Sequence, residues 1–111
     1  MPRWLRLRIY IGESDRYRGK PLYMYLLELF RKRGLKGATA IRGIAGYGSH
    51  SMIHTTGVLR LSEDLPVIVE AVDEEDAIKS VINEVMEAVR EGLVTLEPVE
   101  VLYYGSRGRQ G

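Results

Sequence analysis

The chain of 111 residues contains no cysteine. This absence excludes disulfide bonds, thiolate zinc sites and cysteine nucleophiles, and it suits a reducing compartment such as the cytoplasm. The chain also lacks any apolar run near the ~20 residues that span a membrane. Its opening, MPRWLRLRIYIG, alternates basic and apolar residues and has no signal-peptide core. These absences predict a soluble cytoplasmic protein that is not itself a membrane protein.

The whole chain also lacks a charge excess, although each half has one. Residues 1–60 carry 12 Lys/Arg and 3 Asp/Glu, whereas residues 61–111 carry 4 and 12, so that +9 and −8 leave an overall charge of +1. A dedicated nucleic-acid binder usually keeps a large positive charge, so we expect no nucleic-acid partner. The sequence favours neutralisation of one half by the other, within a subunit or between subunits.

Four segments show the alternation or β-branched composition of strands. Residues 3–11 alternate, GATAIRGIA and residues 65–72 (LPVIVEAV) follow, and VTLEPVEVLYYG closes the series with an interruption expected near Pro98. A chain of this length is expected to form one domain over residues 1–111.

Two segments show the apolar stripe of a helix. The first covers residues 21–33 and ends in basic residues and a glycine, which are helix-stop signals. The second is expected as one helix that Asp73 caps and Gly92 ends. The order βαββαβ predicts an α+β, ferredoxin-like sandwich, a four-stranded antiparallel sheet with both helices on one face. The other face mixes Trp4 and Tyr10 with charged residues, which is typical of a face that another subunit completes.

The stretch GYGSHSMIHTTGVLRLSEDLP between the second and third strands contains both histidines of the chain. His50 and His54 are four residues apart, a spacing that could place two metal ligands on one helix face. The stretch has no helical stripe and no obvious third ligand, so solvated loop histidines are favoured over a metal site. Serines lie nearby, but the sequence has no nucleophile-elbow motif that would support a hydrolytic triad.

Three glycines, Gly43, Gly46 and Gly48, follow the second strand. Glycine there permits positive φ and lets a ligand approach the backbone, whose N–H groups can bind an anion. The spacing does not match a Walker A motif, and no helix follows as a dinucleotide fold requires. From the spacing alone, an anion-binding turn and an ordinary hairpin turn remain equally open.

The segments IYIGESDRYRGKPLYMYLLELFRKRGLKGAT, IRGIAGYGSH and LSEDLPVIVEAVD resemble the PII-like proteins of domain-of-unknown-function family 190. The resemblance covers about residues 5–104. A more distant likeness links the chain to the PII nitrogen-regulatory signalling proteins, whose Gly-aromatic-Gly element corresponds to Gly46, Tyr47 and Gly48. A long mobile loop then corresponds to residues 49–63.

This resemblance implies a non-enzymatic, homotrimeric signalling or regulatory protein that binds adenine nucleotides between subunits and acts on a partner through the mobile loop. It needs no cofactor, and its regulated target would be a membrane transporter or an enzyme. The implied nucleotide-binding residues come from the glycine element, the start of the third strand, the first loop and the tail: Gly46, Tyr47, Gly48, Ser49, His50, Leu65, Pro66, Val67, Glu13, Lys20, Arg107 and Arg109. Arg107 and Arg109 could equally belong to a flexible tail, about residues 105–111. For Glu13 and Lys20, a solvated loop is favoured over a place in the cleft.

The chain departs from the PII pattern after its second helix. The connection REGLVTLEP lacks the basic, glycine-rich sequence that grips phosphates in PII proteins, so AMP or ADP is favoured over ATP. The loop also lacks the tyrosine that some PII proteins modify. Two alternatives remain: a small enzyme that acts on a nucleotide in the same cleft and, less favoured, an RNA-binding domain, which would stack bases on strand aromatics.

Overall fold

The computed structural model of the chain describes residues 2–48, 54–55 and 64–105, and only the backbone of 54–55. In chain order, its elements are β1 (Trp4–Gly12), β2 (Arg16–Tyr17), β3 (Lys20–Pro21), α1 (Leu22–Lys32), β4 (Thr39–Arg42), β5 (Ala45–Gly46), β6 (His54–Thr55), β7 (Pro66–Glu74), α2 (Glu75–Lys79), α3 (Ile82–Ala88) and β8 (Leu93–Val99). No helix in these ranges is long and apolar enough to cross a membrane.

One antiparallel sheet contains four strands in the order β4-β7-β1-β8. The connection from β1 to β4 passes over β7 and contains α1, and the connection from β7 to β8 passes over β1 and contains α2 and α3. The predicted ferredoxin-like sandwich is therefore confirmed. The short β2–β3 hairpin lies within the segment that the sequence predicted as a loop, and β5 pairs with β6.

The hydrophobic core lies between the sheet and the helices. Every second residue of β1 and of β7 is buried, as the alternation of the sequence predicts. Helix α1 contributes a stripe that includes Leu26 and Phe30, and the second helical region contributes Ile78 and Val85. The buried sheet residues that face them are Leu5, Leu7, Ile9, Ile11, Val67, Val69 and Ala71.

The expected N-cap role of Asp73 is wrong, because this residue belongs to β7 and is 1% exposed. Its carboxylate accepts hydrogen bonds from the backbone N–H of Lys36 at 2.8 Å, from Lys36 Nζ at 3.0 Å and from the backbone N–H of Glu74 at 2.7 Å. Burial alone would raise the pKa of Asp73, but these donors outweigh it and lower the pKa below its ordinary value. Asp73 thus joins the α1–β4 connection to the end of β7.

The second helical region consists of two segments, not the single helix that the sequence predicted. Helix α2 ends at Lys79 and α3 begins at Ile82. Between them, Ser80 Oγ donates to the carbonyl of Ala77 at 2.7 Å, and the Val81 N–H donates to the carbonyl of Ile78 at 3.2 Å. Such local bonds compete with the regular helical ladder, which accounts for the break.

The interruption expected near Pro98 is also wrong, because β8 continues to Val99. Strand β8 lies at the edge of the sheet, and β1 is its only neighbour in the described residues. On an edge strand, a residue whose backbone nitrogen faces away from the neighbouring strand makes no hydrogen bond to it. Proline, which has no N–H group, can therefore occupy such a position without interrupting the strand.

The sheet face opposite the helices is uncovered in the single chain and carries ion pairs between residues directly opposite each other. Arg6 pairs with Glu97 on β8, and Arg8 Nε donates to Glu70 Oε1 on β7 at 3.0 Å. The Arg6 Nε is buried and has no hydrogen-bond partner within the described ranges. Opposite charges in register stabilise the strand pairs and leave a partly buried, partly polar face.

Candidate functional site

A cleft of about 560 Å³ opens on the uncovered face, at the end of the sheet where β1 finishes and β7 and β8 begin. Its floor is one row of the sheet, in which Tyr10 lies between Ile68 on β7 and Leu93 on β8. The volume lies within the range of small-molecule sites, and apolar and aromatic floors suit the planar rings of ligands.

The first wall of the cleft, the glycine wall, comprises residues 43–48. The Gly43 N–H donates to the carbonyl of Pro66 at 2.7 Å. A Cβ atom at Gly43 or at Gly46 would lie 2.9 or 3.0 Å from Pro66 Cγ, which is too close for an unstrained contact, whereas one at Gly48 would meet nothing within 4 Å. Glycine at positions 43 and 46 therefore lets the chain pack closely on the proline ring.

The positive φ that glycine would permit at these three positions is not adopted at any of them. The glycines with positive φ among the described residues are Gly19, Gly34, Gly92 and Gly105. Close packing against Pro66 favours glycine at positions 43 and 46, and neither this packing nor a left-handed backbone accounts for Gly48.

The second wall, the acidic wall, comprises Asp15, Asp64 and Glu91. Asp15 Oδ2 accepts a hydrogen bond from the Gly12 N–H at 3.0 Å, and Asp64 Oδ1 accepts two, from the N–H and the Oγ of Ser14, both at 2.8 Å. Asp64 also packs against Gly12, where a Cβ atom would lie 2.6 Å from Oδ1. Both aspartates are therefore held by the turn that follows β1.

Burial and the neighbouring carboxylates affect Asp15 within the acidic wall. Desolvation raises the pKa of Asp15, and the charges of Asp64 and Glu91 raise it further, although the bond from Gly12 opposes them.

None of the described residues that line the cleft is lysine or arginine. The described part of the chain also places no three His, Cys, Asp or Glu side chains so that they could hold a metal ion. The described lining of this wall is therefore acidic and contains no Lys or Arg side chain.

Replacing Asp15 with asparagine is expected to stabilise the fold at neutral pH by less than about 1 kcal/mol, after allowance for solvent screening. The asparagine oxygen can still accept from Gly12, while the repelled charge is gone. Because the pKa of Asp15 is raised, the wild-type chain takes up a proton there as pH falls, and the advantage of the variant should fade in acid. Urea unfolding of both proteins between pH 4 and 8 measures this. A variant less stable than the parent at neutral pH would contradict the expectation.

The structure brings four of the predicted site residues to the cleft: Gly46, Tyr47, Gly48 and Pro66. The others in the described ranges lie elsewhere. The side chains of Leu65 and Val67 are buried, each 4% exposed, and Val67 belongs to the core on the helical side of the sheet. Strand alternation explains this, since Pro66 and Ile68 point to the cleft face and Val67 to the opposite one.

Two charged residues expected in the cleft form ion pairs outside its lining. Glu13 Oε2 accepts from Arg42 at 2.6 Å, and the Glu13 backbone N–H donates to the Leu65 carbonyl at 2.8 Å. Lys20 donates to Glu28 Oε1 on α1 at 2.5 Å. Ser49, His50, Arg107 and Arg109 lie outside the described residues.

Sequence reasoning missed the floor and the acidic wall. The alternation of β1 and β7 places Tyr10 and Ile68 on the uncovered face, and that signal could have identified them. No local signal marks Asp15, Asp64 and Glu91 as neighbours, because they are far apart in the chain and the topology alone brings them together.

The fold is shared with solved PII-like proteins. CPII of Thiomonas intermedia K12, a nitrogen regulatory PII-like protein solved with ADP, AMP and bicarbonate, aligns with a TM-score of 0.62 at 19% identity, over 89% of this chain and 88% of that one. A structure of CPII bound to ADP and bicarbonate gives a TM-score of 0.61 at the same identity and coverage. At this identity, the likeness establishes the fold.

Two relatives are similar in sequence along most of the chain. A UPF0166 protein of Aquifex aeolicus is 47% identical over 97 residues, which are 87% of this chain and 91% of the relative. A UPF0166 protein of Methanocaldococcus jannaschii is 34% identical over 96 residues, 86% of this chain and 88% of the relative. The model of the family DUF190, described as "Uncharacterized ACR, COG1993", matches residues 4–101, and the chain therefore belongs to this family.

Proposed function

We propose that this chain is a PII-like regulatory protein that binds an adenine nucleotide in the cleft and does not turn it over. The observation that carries the proposal is the cleft itself, a volume of about 560 Å³ with an apolar floor and a glycine wall. The comparison with CPII supports it, because the structures of that protein contain ADP and AMP.

The proposed ligand fits the chemistry of the floor and of the glycine wall. The row of Tyr10, Ile68 and Leu93 offers an apolar surface against which a purine ring can pack. At Gly48, nothing in the described structure lies within 4 Å of a Cβ position, so a phosphate can come close to the backbone there.

AMP and ADP fit this cleft better than ATP does. Each further phosphate brings negative charge into a site whose described lining contains three carboxylates and no Lys or Arg. An uncompensated buried charge is costly, so a triphosphate would need more cations than a mono- or diphosphate.

We propose that the protein assembles as a homotrimer through the uncovered sheet face. The pairs of Arg6 with Glu97 and Arg8 with Glu70 are already partly buried in the single chain. A second copy would bury these pairs and the apolar residues beside them. A cleft at the end of the same face would then lie beside the neighbouring subunit, and residues 49–63, which join β5 to β7, would carry the signal to an enzyme or transporter.

Calorimetric titration with AMP, ADP, ATP and single-stranded RNA, combined with chromatography of the recovered nucleotide, tests this function. We expect AMP and ADP to bind more tightly than ATP, RNA not to bind, and the nucleotide to be recovered intact. Light scattering should give about three times the 12.6 kDa monomer mass. Consumption of the nucleotide would favour an enzyme, binding of RNA alone would favour a nucleic-acid function, and a monomer would exclude the intersubunit site.

A further inference from the structure

Strand β4 is an edge of the sheet that lacks the usual protection of edge strands. Among the described residues its neighbour is β7 alone, so the other side of its backbone has no strand to pair with. Edge strands are commonly blunted by proline or lysine, because unpaired N–H and C=O groups attract further strands. The opposite edge, β8, contains Pro98, whereas β4 contains neither proline nor lysine. The outer edge of β4 is therefore suited to pair with a further strand.

A pocket of about 310 Å³, the α1 pocket, lies beside this edge, between α1 and the segment that leads into β4. Ala40 lies opposite the core residue Val69, so Ala40 and Ala38 face the helical side of the sheet, where their small side chains leave space open. Two fully or nearly buried side chains, Phe30 and Leu35, form the bottom of the pocket. The pocket has room for an aliphatic side chain of the size of leucine.

The charged residues of the α1 pocket are cations. They are Arg31 and Lys36, and no Asp or Glu is among the described residues that line the pocket. Lys36 Nζ is already bonded to Asp73 Oδ1 at 3.0 Å. Arg31 is exposed, and none of the described carboxylates pairs with its guanidinium. Because a guanidinium forms strong, paired hydrogen bonds with a carboxylate, an acidic side chain complements the rim of this pocket.

We propose that the outer edge of β4 and the α1 pocket bind an extended segment of a partner protein that carries apolar and acidic residues two positions apart. The segment adds a fifth strand to the sheet through backbone hydrogen bonds to β4. Since side chains alternate along a strand, every second residue of the segment faces α1. One of these residues, of the size of leucine, fills the pocket over Phe30, and an acidic one pairs with Arg31.

This surface is separate from the nucleotide cleft and from the proposed trimer interface. The α1 pocket is on the helical side of the sheet, whereas the cleft opens on the uncovered face, and the two share no lining residue in the described part of the chain. Docking of the segment therefore does not depend on the proposed nucleotide-binding function.

Fluorescence anisotropy of the full-length protein with a labelled peptide tests this surface. The probe is a nine-residue peptide in which every second residue is threonine and the residues between them alternate leucine and glutamate, so that leucine and glutamate share one face of a strand. We expect saturable binding. A peptide with lysine in place of glutamate should bind at least about tenfold more weakly, because repulsion by Arg31 replaces attraction. Hydrogen exchange at backbone amides of β4 should slow when the glutamate peptide binds.

Two variants locate the binding site of the peptide. Arg31→Glu should weaken binding of the glutamate peptide by at least about tenfold. Lys32→Glu is the matched control, because it makes the same change of charge at the next residue of α1, which does not line the pocket, and it should stay within about twofold of the parent. Ala38→Leu should also weaken binding, because the larger side chain fills the pocket. Thermal melting confirms that each variant is folded, and each should bind AMP like the parent.

The absence of saturable binding, equal binding of the two peptides, equal effects of Arg31→Glu and Lys32→Glu, or unchanged exchange in β4 would each overturn the proposal and leave the nucleotide-binding function standing. Light scattering tests the other possible occupant, a second copy of this chain. If Arg31→Glu or Ala38→Leu lowers the mass of the assembly, the edge of β4 is an interface between copies, and the proposal is overturned as well.

Discussion

Replacement of Asp73 by alanine is expected to lower the free energy of unfolding by about 2–4 kcal/mol. The side chain is 1% exposed and accepts three hydrogen bonds, two of them from backbone N–H groups. Alanine leaves the N–H groups of Lys36 and Glu74 without the acceptor that Asp73 provides, and both of these bonds are partly buried. It also frees Lys36, whose Nζ lies 5.3 Å from the centre of the Trp4 ring. Chemical unfolding at neutral pH measures the loss.

The matched control is Asp76→Ala, which removes an exposed carboxylate three residues further along and should change stability by no more than about 0.5 kcal/mol. The pH dependence gives a second check. Since the folded-state pKa of Asp73 lies below its ordinary value of 3.8, its stabilising effect is fully present above that value and is lost as pH falls through the folded pKa. The difference between the parent and Asp73→Asn should therefore shrink in strong acid. A constant difference down to the lowest pH would contradict the assignment of an ionised Asp73.

Asp73 is a residue whose role in the fold could not be predicted from the sequence. The period of two in β1 and β7 and the apolar stripe of α1 identified the core, because burial imposes these periods on any sequence that forms the sandwich. An aspartate before a helical stripe has the local signature of an N-cap, and that signature contains no information about Lys36. The partner of Asp73 is 37 residues away and comes close only in the folded chain.

One wall of the candidate site could be predicted from the sequence and the other could not. The glycine wall could be predicted because its residues are adjacent in sequence and glycine carries a local meaning. The acidic wall could not, because Asp15, Asp64 and Glu91 follow or precede three different strands and become neighbours only through the order β4-β7-β1-β8. The acidic wall also adds information about ligand charge. The glycine turn alone indicates where an anion could bind, whereas the three carboxylates indicate where an anion would be repelled.

The family resemblance implied that Val67 contacts the nucleotide, but its side chain is buried in the core. The start of the third strand does border the cleft, but adjacent residues of a strand face opposite sides of the sheet. Pro66 and Ile68 line the cleft, while Val67 is 4% exposed within the core. A contact from Val67 to a ligand would therefore have to come from its backbone.

Gly48→Val is expected to abolish nucleotide binding, or to weaken it by more than about tenfold, while leaving the fold intact. Gly48 lines the cleft, and a Cβ atom there meets no described atom within 4 Å. The valine side chain can therefore be accommodated without displacing its surroundings, but it occupies space at the glycine wall where the backbone would approach phosphate. Because the φ of Gly48 is not positive, backbone strain does not contribute, and the effect should fall on binding alone. Calorimetric titration with AMP measures the affinity, and thermal melting measures the stability.

Valine variants at two other glycines distinguish a blocked binding site from a damaged fold as the cause of lost binding. Gly37→Val is the matched control, since Gly37 also has nothing within 4 Å of its Cβ position but lies outside the cleft, and it should bind AMP like the parent. Gly46→Val should lose both binding and stability, because its Cβ would lie 3.0 Å from Pro66 Cγ and push the proline off the glycine wall. If Gly48→Val binds AMP as tightly as Gly37→Val does, the phosphate does not lie at the glycine wall, and residues 43–48 form an ordinary turn that packs on Pro66.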